Sequence, residues 1–488
     1  MKYNEKRNEQ IRSSTLFTAQ KLPQRISQQI SPQNRILSPH LHAAITTSYP
    51  SFHHPLTPDL AKLVEKLTDE AERTQVSSLL SRFSHLFDTS KHNISTILVQ
   101  HVFNTIPHSP PAFRPHRNPH HRDETRKIID EFLAAGIIRD SHSPYAAPAF
   151  IVPRKDNRPG RLVVDYRALN KITIPDASPL PHIEDTLQEL STGFKYFSKL
   201  DLKSGYHQFQ IPKADQEKTA FVVSSGHYEF SVLPMGPTNG PACFQKPMSN
   251  LLKPCCDFPR VYLDDIIIYS KTLQQHLHHL NLVFDILTNH KLVLSPSECE
   301  IAVPTVEFLG HIISEHTFTP NNAAIQAILD LREPRTLKEA NKFLGGLAYY
   351  RKFVARFAHM AAPIHKVTNL TRANRHLFQW TDEQSSAFFD LKRMLTTELY
   401  LQFPVDGYPL HLATDASGIA TCGVLFQEIG GERRNIFYHS KVLPSIERKY
   451  SVPEQEALAI FQCLQRMRTY ILGRTVYIHT DHCPICGL

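Results

Sequence analysis

Val261-Tyr262-Leu263-Asp264-Asp265-Ile266-Ile267-Ile268-Tyr269 sets two adjacent carboxylates between two apolar runs rich in β-branched residues. Such runs favour strands, and acids at their junction suit a tight turn. The stretch predicts a β-hairpin with Asp264 and Asp265 at its tip. Aspartate is common in hairpin turns for local reasons, so this stretch alone fits a plain turn as well as a site.

A third carboxylate shifts the balance. Lys199-Leu200-Asp201-Leu202 puts Asp201 inside an apolar strand, just before Lys203-Ser204-Gly205-Tyr206. Burying a lone carboxylate is costly, so such an acid needs a partner or a metal. If the strands pair, Asp201 and Asp264 meet at one edge. Clustered carboxylates repel unless hard cations lie between them, and Mg²⁺ prefers oxygen ligands. Two such ions, about 3.5–4 Å apart, suit an in-line phosphoryl displacement.

Composition frames this reading. The 488 residues leave room for about three domains. Hydrophobic residues make up 41% and charged residues 20%, which excludes a wholly disordered or collagen-like chain. The net charge is +8, of which residues 1–40 alone carry +5. That permits a polyanionic partner without demonstrating one. No run of 18 apolar residues exists, so no membrane-spanning helix is expected. MKYNEKRNEQ lacks an apolar signal core, and eight cysteines in so long a chain suit a reducing compartment. Cys483-x-x-Cys486 has no second pair to complete a zinc site.

The organisation reads as follows. Residues 1–56 form a flexible basic arm, and 57–121 a helical segment with a Pro- and His-rich linker. Residues 122–315 alternate helix and strand signals, beginning with a helix from Asp123 to Ile138 stopped near Gly136. Residues 316–400 read as mostly helical. Residues 401–488 are a further α/β segment.

With these blocks in hand, the chain resembles the reverse transcriptases of gypsy-type long-terminal-repeat retrotransposons. Leu200-Asp201-Leu202-Lys203-Ser204-Gly205-Tyr206-His207-Gln208 and Tyr262-Leu263-Asp264-Asp265 look like the catalytic motifs. Val164-Asp165-Tyr166-Arg167-Ala168-Leu169-Asn170-Lys171, His227-Tyr228-Glu229-Phe230, Leu233-Pro234-Met235-Gly236 and Phe308-Leu309-Gly310-His311 follow in the family's order. The resemblance implies an α+β right-hand polymerase of fingers, palm and thumb. It implies that 122–315 holds fingers and palm, 316–400 the thumb and connection helices, and 401–488 a partial ribonuclease H-like domain.

It further implies roles. Asp201, Asp264 and Asp265 would hold two Mg²⁺ ions, with Mn²⁺ as the alternative. A primer 3′-hydroxyl on an RNA or DNA template would attack the α-phosphate of a deoxynucleoside triphosphate. Arg161, with Arg154 or Lys155, matches the fingers cations that grip the triphosphate. Segment 114–171 carries 12 basic and 7 acidic residues, which agrees with that role. Tyr206 matches the aromatic that selects against a 2′-hydroxyl, and Met235 stands near the nucleotide. Leu309, Gly310 and His311 resemble the hairpin that holds the primer end. Four positions depart from the pattern: Met235 for Phe, Pro237 for Leu, Gly240 for Ala, and Glu298 for Lys. Pro237 lacks a backbone donor and restricts Gly236, which bears on activity and not on the fold.

A second constellation lies downstream. Leu412-Ala413-Thr414-Asp415-Ala416-Ser417-Gly418 reads as a strand ending in an acid. Tyr450-Ser451-Val452-Pro453-Glu454-Gln455-Glu456 opens a helix, and Val476-Tyr477-Ile478-His479-Thr480-Asp481 is another strand ending in an acid. Acids in a first helical turn also complement the helix dipole. The segment resembles the ribonuclease H domain that follows the polymerase in this family, which implies Asp415, Glu456 and Asp481 as metal ligands. Glu454 competes for the helix position. Seven residues follow Asp481, so the fourth acidic ligand and the closing helix and strand are expected to be missing, with nuclease activity weak or absent.

The function expected is RNA-directed DNA polymerisation inside the cell. The alternative is a catalytically silent retroelement remnant that only binds nucleic acid. A small-molecule phosphotransferase is disfavoured, because no GxxxxGK[ST] loop is present.

Overall fold

A computed structural model describes residues 56–481, apart from 100–101, 116–121, 154–159, 191–192, 371 and 397–398. The basic arm (apart from Leu56), Arg154, Lys155 and the Cys483–Cys486 pair lie outside the described residues. The described chain forms two compact units, one ending at Phe308 and the other beginning at Leu309.

In the first unit, the apolar repeat after Thr57 makes two successive helices, Pro58–Val64 and Glu70–Arg82. Asp69 starts the second, accepting the N–H groups of Ala71 and Glu72 at 2.7 and 3.1 Å. The helix Arg122–Ala134 ends four residues short of the expected Ile138. Gly136 takes a left-handed φ of +70°, a common helix stop, and Ile138 goes on into a strand. That strand edges a five-stranded sheet ordered Ile138–Asp140, Gly226–Phe230, Phe221–Val223, Ala147–Val152, Arg161–Val164.

The sheet that carries the carboxylates has four strands, ordered Pro259–Tyr262, Asp265–Ser270, Tyr196–Asp201, Glu300–Val303. Antiparallel register sets Asp201 opposite Asp265, Leu200 opposite Ile266 and Ser198 opposite Ile268. Side chains alternate across a strand, so Ser198, Leu200, Ile266 and Ile268 share one face, while Lys199, Asp201 and Asp265 share the other. The helix Leu273–Asn289 packs on the first face, burying Leu280, Val283, Phe284 and Leu287 completely. Fully burying such side chains is worth about 1.5–3 kcal/mol each.

The second unit opens with strands ahead of the helices expected over most of 316–400. His311–Ile313 and Thr317–Pro320 form an antiparallel pair, and Leu401–Gln402 adds to its edge. Thr317-Phe318-Thr319-Pro320 alternates half-buried and buried positions, which is strand periodicity. Four helices follow: Asn322–Leu329, Leu337–Ala348, Phe357–Thr368 and Asp382–Leu395. The last sheet runs Glu432–Val442, Ala420–Ile429, Leu410–Ala416, Val476–His479, with the final pair parallel. The helix Val452–Arg466 covers it, and Cys463 Sγ presses so close to Gly423 that a Cβ there would lie 2.5 Å away.

Candidate active site

Tyr262 pairs with Asp265, so Leu263 and Asp264 are the two central residues of a tight hairpin turn. Leu263 takes φ +51°, a conformation usual for glycine. Its N–H donates to Gln245 Oε1 at 2.7 Å, and Gln245 Nε2 donates to the Val261 carbonyl at 2.9 Å. Gln245 comes from the helix Gly240–Leu251 and is buried. The turn is thus held from behind by one amide side chain.

The register brings Asp201 and Asp265 side by side, with Asp264 one residue away on the turn. Burial pushes the Asp201 carboxyl up to about 7, with Glu298, which hydrogen-bonds it, and Asp265 and Asp264 adding to the shift. Burial and then Asp265 push Asp264 up to about 6, against the pull of Arg161. Lys199 Nζ lies 3.3 Å from Asp265 Oδ1. Asp264 Oδ1 is buried without a hydrogen-bond partner. Asp201 and Asp264, raised by burial and by neighbouring acids, the latter with an orphaned oxygen, are oxygen donors of the kind that hard divalent cations take.

Around the acids, Gly205 leaves clearance that a side chain would fill: a Cβ there would stand 3.0 Å from Asp264 Oδ1. Tyr206 is buried and stacks on Phe244 at 5.0 Å and 15°. Burial, then Asp264, raises its phenol to about 12. Gly240 gives this ring room, since a Cβ would come within 3.3 Å of it. The loop around Pro237 is formed, in keeping with the sequence, where the substitution bears on activity and not on the fold. Gly236 takes φ +110°, open only to glycine, and the loop is tied through groups other than the missing N–H. Asn170 donates to the Gly236 carbonyl at 3.0 Å and accepts from Thr238 N–H at 2.9 Å. Arg161 and Met235 are both exposed, and Arg161 pairs opposite Val152 at the end of its strand.

In the second unit, Ala413 pairs with His479 in parallel, so Asp415 and Asp481 each lie two residues farther along neighbouring chains. Glu456 is 4% exposed. Its Oε1 accepts the Ala416 N–H at 3.0 Å, and its Oε2 is buried and unpartnered. Burial raises its carboxyl, with Asp481 and Asp415 contributing. Glu454 instead closes a capping box with Ser451, accepting both its N–H and its hydroxyl at 2.8 Å. The geometry therefore groups Glu456, not Glu454, with Asp415 and Asp481, and its orphaned oxygen fits a cation. Arg356, unremarked in the sequence, donates to Asp415 Oδ2 at 3.0 Å.

Leu309, Gly310 and His311 form a turn in which Leu309 and Gly310 are left-handed. The His311 side chain is fully buried, so its imidazole does not present itself outward. Gln245 and Arg356 carried no signal in the sequence, because each acts on a partner distant along the chain.

Residues 152–313 match the family of reverse transcriptases (RNA-dependent DNA polymerases), and 380–478 match the RNase H-like domain found in reverse transcriptase. The chain is 36% identical to a retrovirus-related Pol polyprotein from transposon 297 of Drosophila melanogaster, over 86% of this chain and 39% of that protein. It is 35% identical to that from transposon gypsy of the same organism, over 74% and 36% respectively. Its fold is similar to a foamy viral protease-reverse transcriptase solved with double-stranded DNA, with TM-score 0.78, 25% identity, and cover of 87% of this chain and 74% of that one. The chain belongs to the reverse transcriptase and RNase H-like region of retrotransposon Pol polyproteins, of the gypsy type. It spans about two fifths of the length of the Pol polyproteins it matches.

Proposed function

We propose that this chain extends a primer 3′-hydroxyl with deoxynucleotides on an RNA or DNA template. The observation that carries the reading is the register of Asp201 against Asp265 with Asp264 on the adjoining turn. Asp201, Asp264 and Asp265 would hold two Mg²⁺ ions, which supply charge stabilisation to the attacking and leaving oxygens. The chain's own part is placement. Gln245 keeps the turn in its strained form, Gly205 leaves the acids their clearance, and Lys199 steadies Asp265. Arg161 supplies positive charge for the triphosphate, and Tyr206 backs the nucleotide sugar. Asp415, Glu456 and Asp481 would form a second divalent-metal site for cutting the RNA strand of a hybrid. Template, primer and triphosphates are intracellular compounds, which sets the activity inside the cell.

The test is primer extension on oligo(dT)-primed poly(rA) with Mg²⁺, beside the Asp264→Asn, Asp265→Asn double variant. Extension by the unaltered chain alone supports the reading. A folded chain that binds primer–template yet extends nothing would instead be a silent remnant.

A further inference from the structure

We propose that Tyr349 is a positioning residue for the Leu309-Gly310-His311 turn, setting how that turn presents itself to the primer end. The inference rests on reading this turn as the primer-holding hairpin. Leu309 takes φ +49° and Gly310 φ +73°. Glycine enters that region freely, whereas a leucine stays there only where its surroundings hold it.

The holding group is the Tyr349 hydroxyl. It donates to the Leu309 carbonyl at 2.5 Å and lies 3.0 Å from His311 Nδ1. His311 Nδ1 lies 2.9 Å from the same carbonyl, so the shared acceptor assigns the proton to Nδ1. Burial drives this imidazole down to about 3, and His311 is a neutral second strut. Tyr349 itself is anchored: Lys352 Nζ lies 5.9 Å from its ring centre, and Tyr350 meets it edge-on at 5.3 Å. Lys352 is buried, with Phe318 and Phe353 rings also near its ammonium.

The same hydroxyl limits the space above Gly310, where a Cβ would come to 3.3 Å from it. One oxygen therefore aims the Leu309 carbonyl and sets the clearance over Gly310. Without it, Leu309 is free to relax toward negative φ and carry the turn with it. That movement concerns the primer strand and not the triphosphate.

The experiment is steady-state extension by the full chain carrying Tyr349→Phe, which keeps the ring and its packing. KM for primer–template is expected to rise about fivefold, the equivalent of one hydrogen bond of about 1 kcal/mol. KM for the triphosphate is expected to stay unchanged. An unchanged primer KM, or equal rises in both constants, overturns the proposal. Gly310→Ala separates the two layers. If it raises primer KM while Tyr349→Phe does not, the turn holds the primer and the brace is wrong. If neither variant changes primer KM, the turn does not hold the primer, and the proposal falls with it.

Discussion

Leu263 carries the tension of the carboxylate hairpin: at φ +51° it takes the first central place of a turn that glycine fills more easily. Strain of about 1–3 kcal/mol persists at such a residue only where neighbours over-determine it, and Gln245 is the neighbour that does so. Gln245→Ala leaves the Leu263 N–H without its partner and should destabilise the chain by about 1–3 kcal/mol. Extension should fall further than stability alone explains; equal extension at a temperature where both proteins are folded would show that the brace is dispensable. Gly205→Ala drives a methyl against Asp264 Oδ1 at 3.0 Å and Leu202 Cβ at 3.2 Å. Overpacking costs about 1–3 kcal/mol, and a tenfold or greater loss of extension is expected. Arg356 poses the opposite case. Its guanidinium is an exposed counter-cation on Asp415, with side chains 67% and 47% exposed, so the pair is worth only about 0–1 kcal/mol. Arg356→Gln should raise Mn²⁺ affinity about two- to fivefold in a chain whose Asp201, Asp264 and Asp265 are all asparagine. Unchanged or weaker binding, read by electron paramagnetic resonance, would show that the arginine does not compete with metal.

At the scale of elements, the two strands that bear the carboxylates are tied together on their far face. Ser198 Oγ lies 2.7 Å from His276 Nε2, and Ser270 Oγ lies 2.8 Å from His276 Nδ1 and 2.8 Å from His279 Nδ1. Ser198 also accepts the Ala302 N–H at 2.9 Å, which brings in the third strand. His276 is fully buried, and burial lowers it to about 3 and His279 to about 4. Both are neutral in the folded chain and protonate near 6.5 when unfolded. Between about pH 6.5 and 4 the unfolded state therefore binds more protons, so stability falls as pH falls through that window. His276→Leu should be less stable at pH 7 yet show a shallower acid limb in urea midpoints from pH 7 to 4. Parallel pH dependences would deny His276 this part. Much of the element pattern was legible beforehand, because strands and helices declare themselves by period. The hairpin at 311–320 is not legible in the sequence, since strands of three and four residues beside long helical repeats leave too few periods to read.

For the whole molecule, charge decides how the proposed polyanion is held. The net +8 is concentrated in residues 1–40, which leaves only +3 for the remaining 448 residues. Binding of primer–template must then come from local basic patches, and it should weaken at least about tenfold between 50 and 200 mM salt through counterion release. A salt-independent affinity, measured by fluorescence anisotropy, would exclude phosphate contacts as its source. Sequence alone determined the class of chain and its carboxylate candidates, because those acids sit inside short contiguous motifs whose apolar flanks announce strands. It favoured Glu456 over Glu454 through the resemblance alone, and packing supplied the physical distinction between a capping residue and one buried beside Asp415. Gln245 reaches its partner across 18 residues, Tyr349 across 40 and Arg356 across 59. No local period or propensity encodes such pairs: they exist only once the backbone has closed, and tertiary structure alone decides which oxygens end with partners.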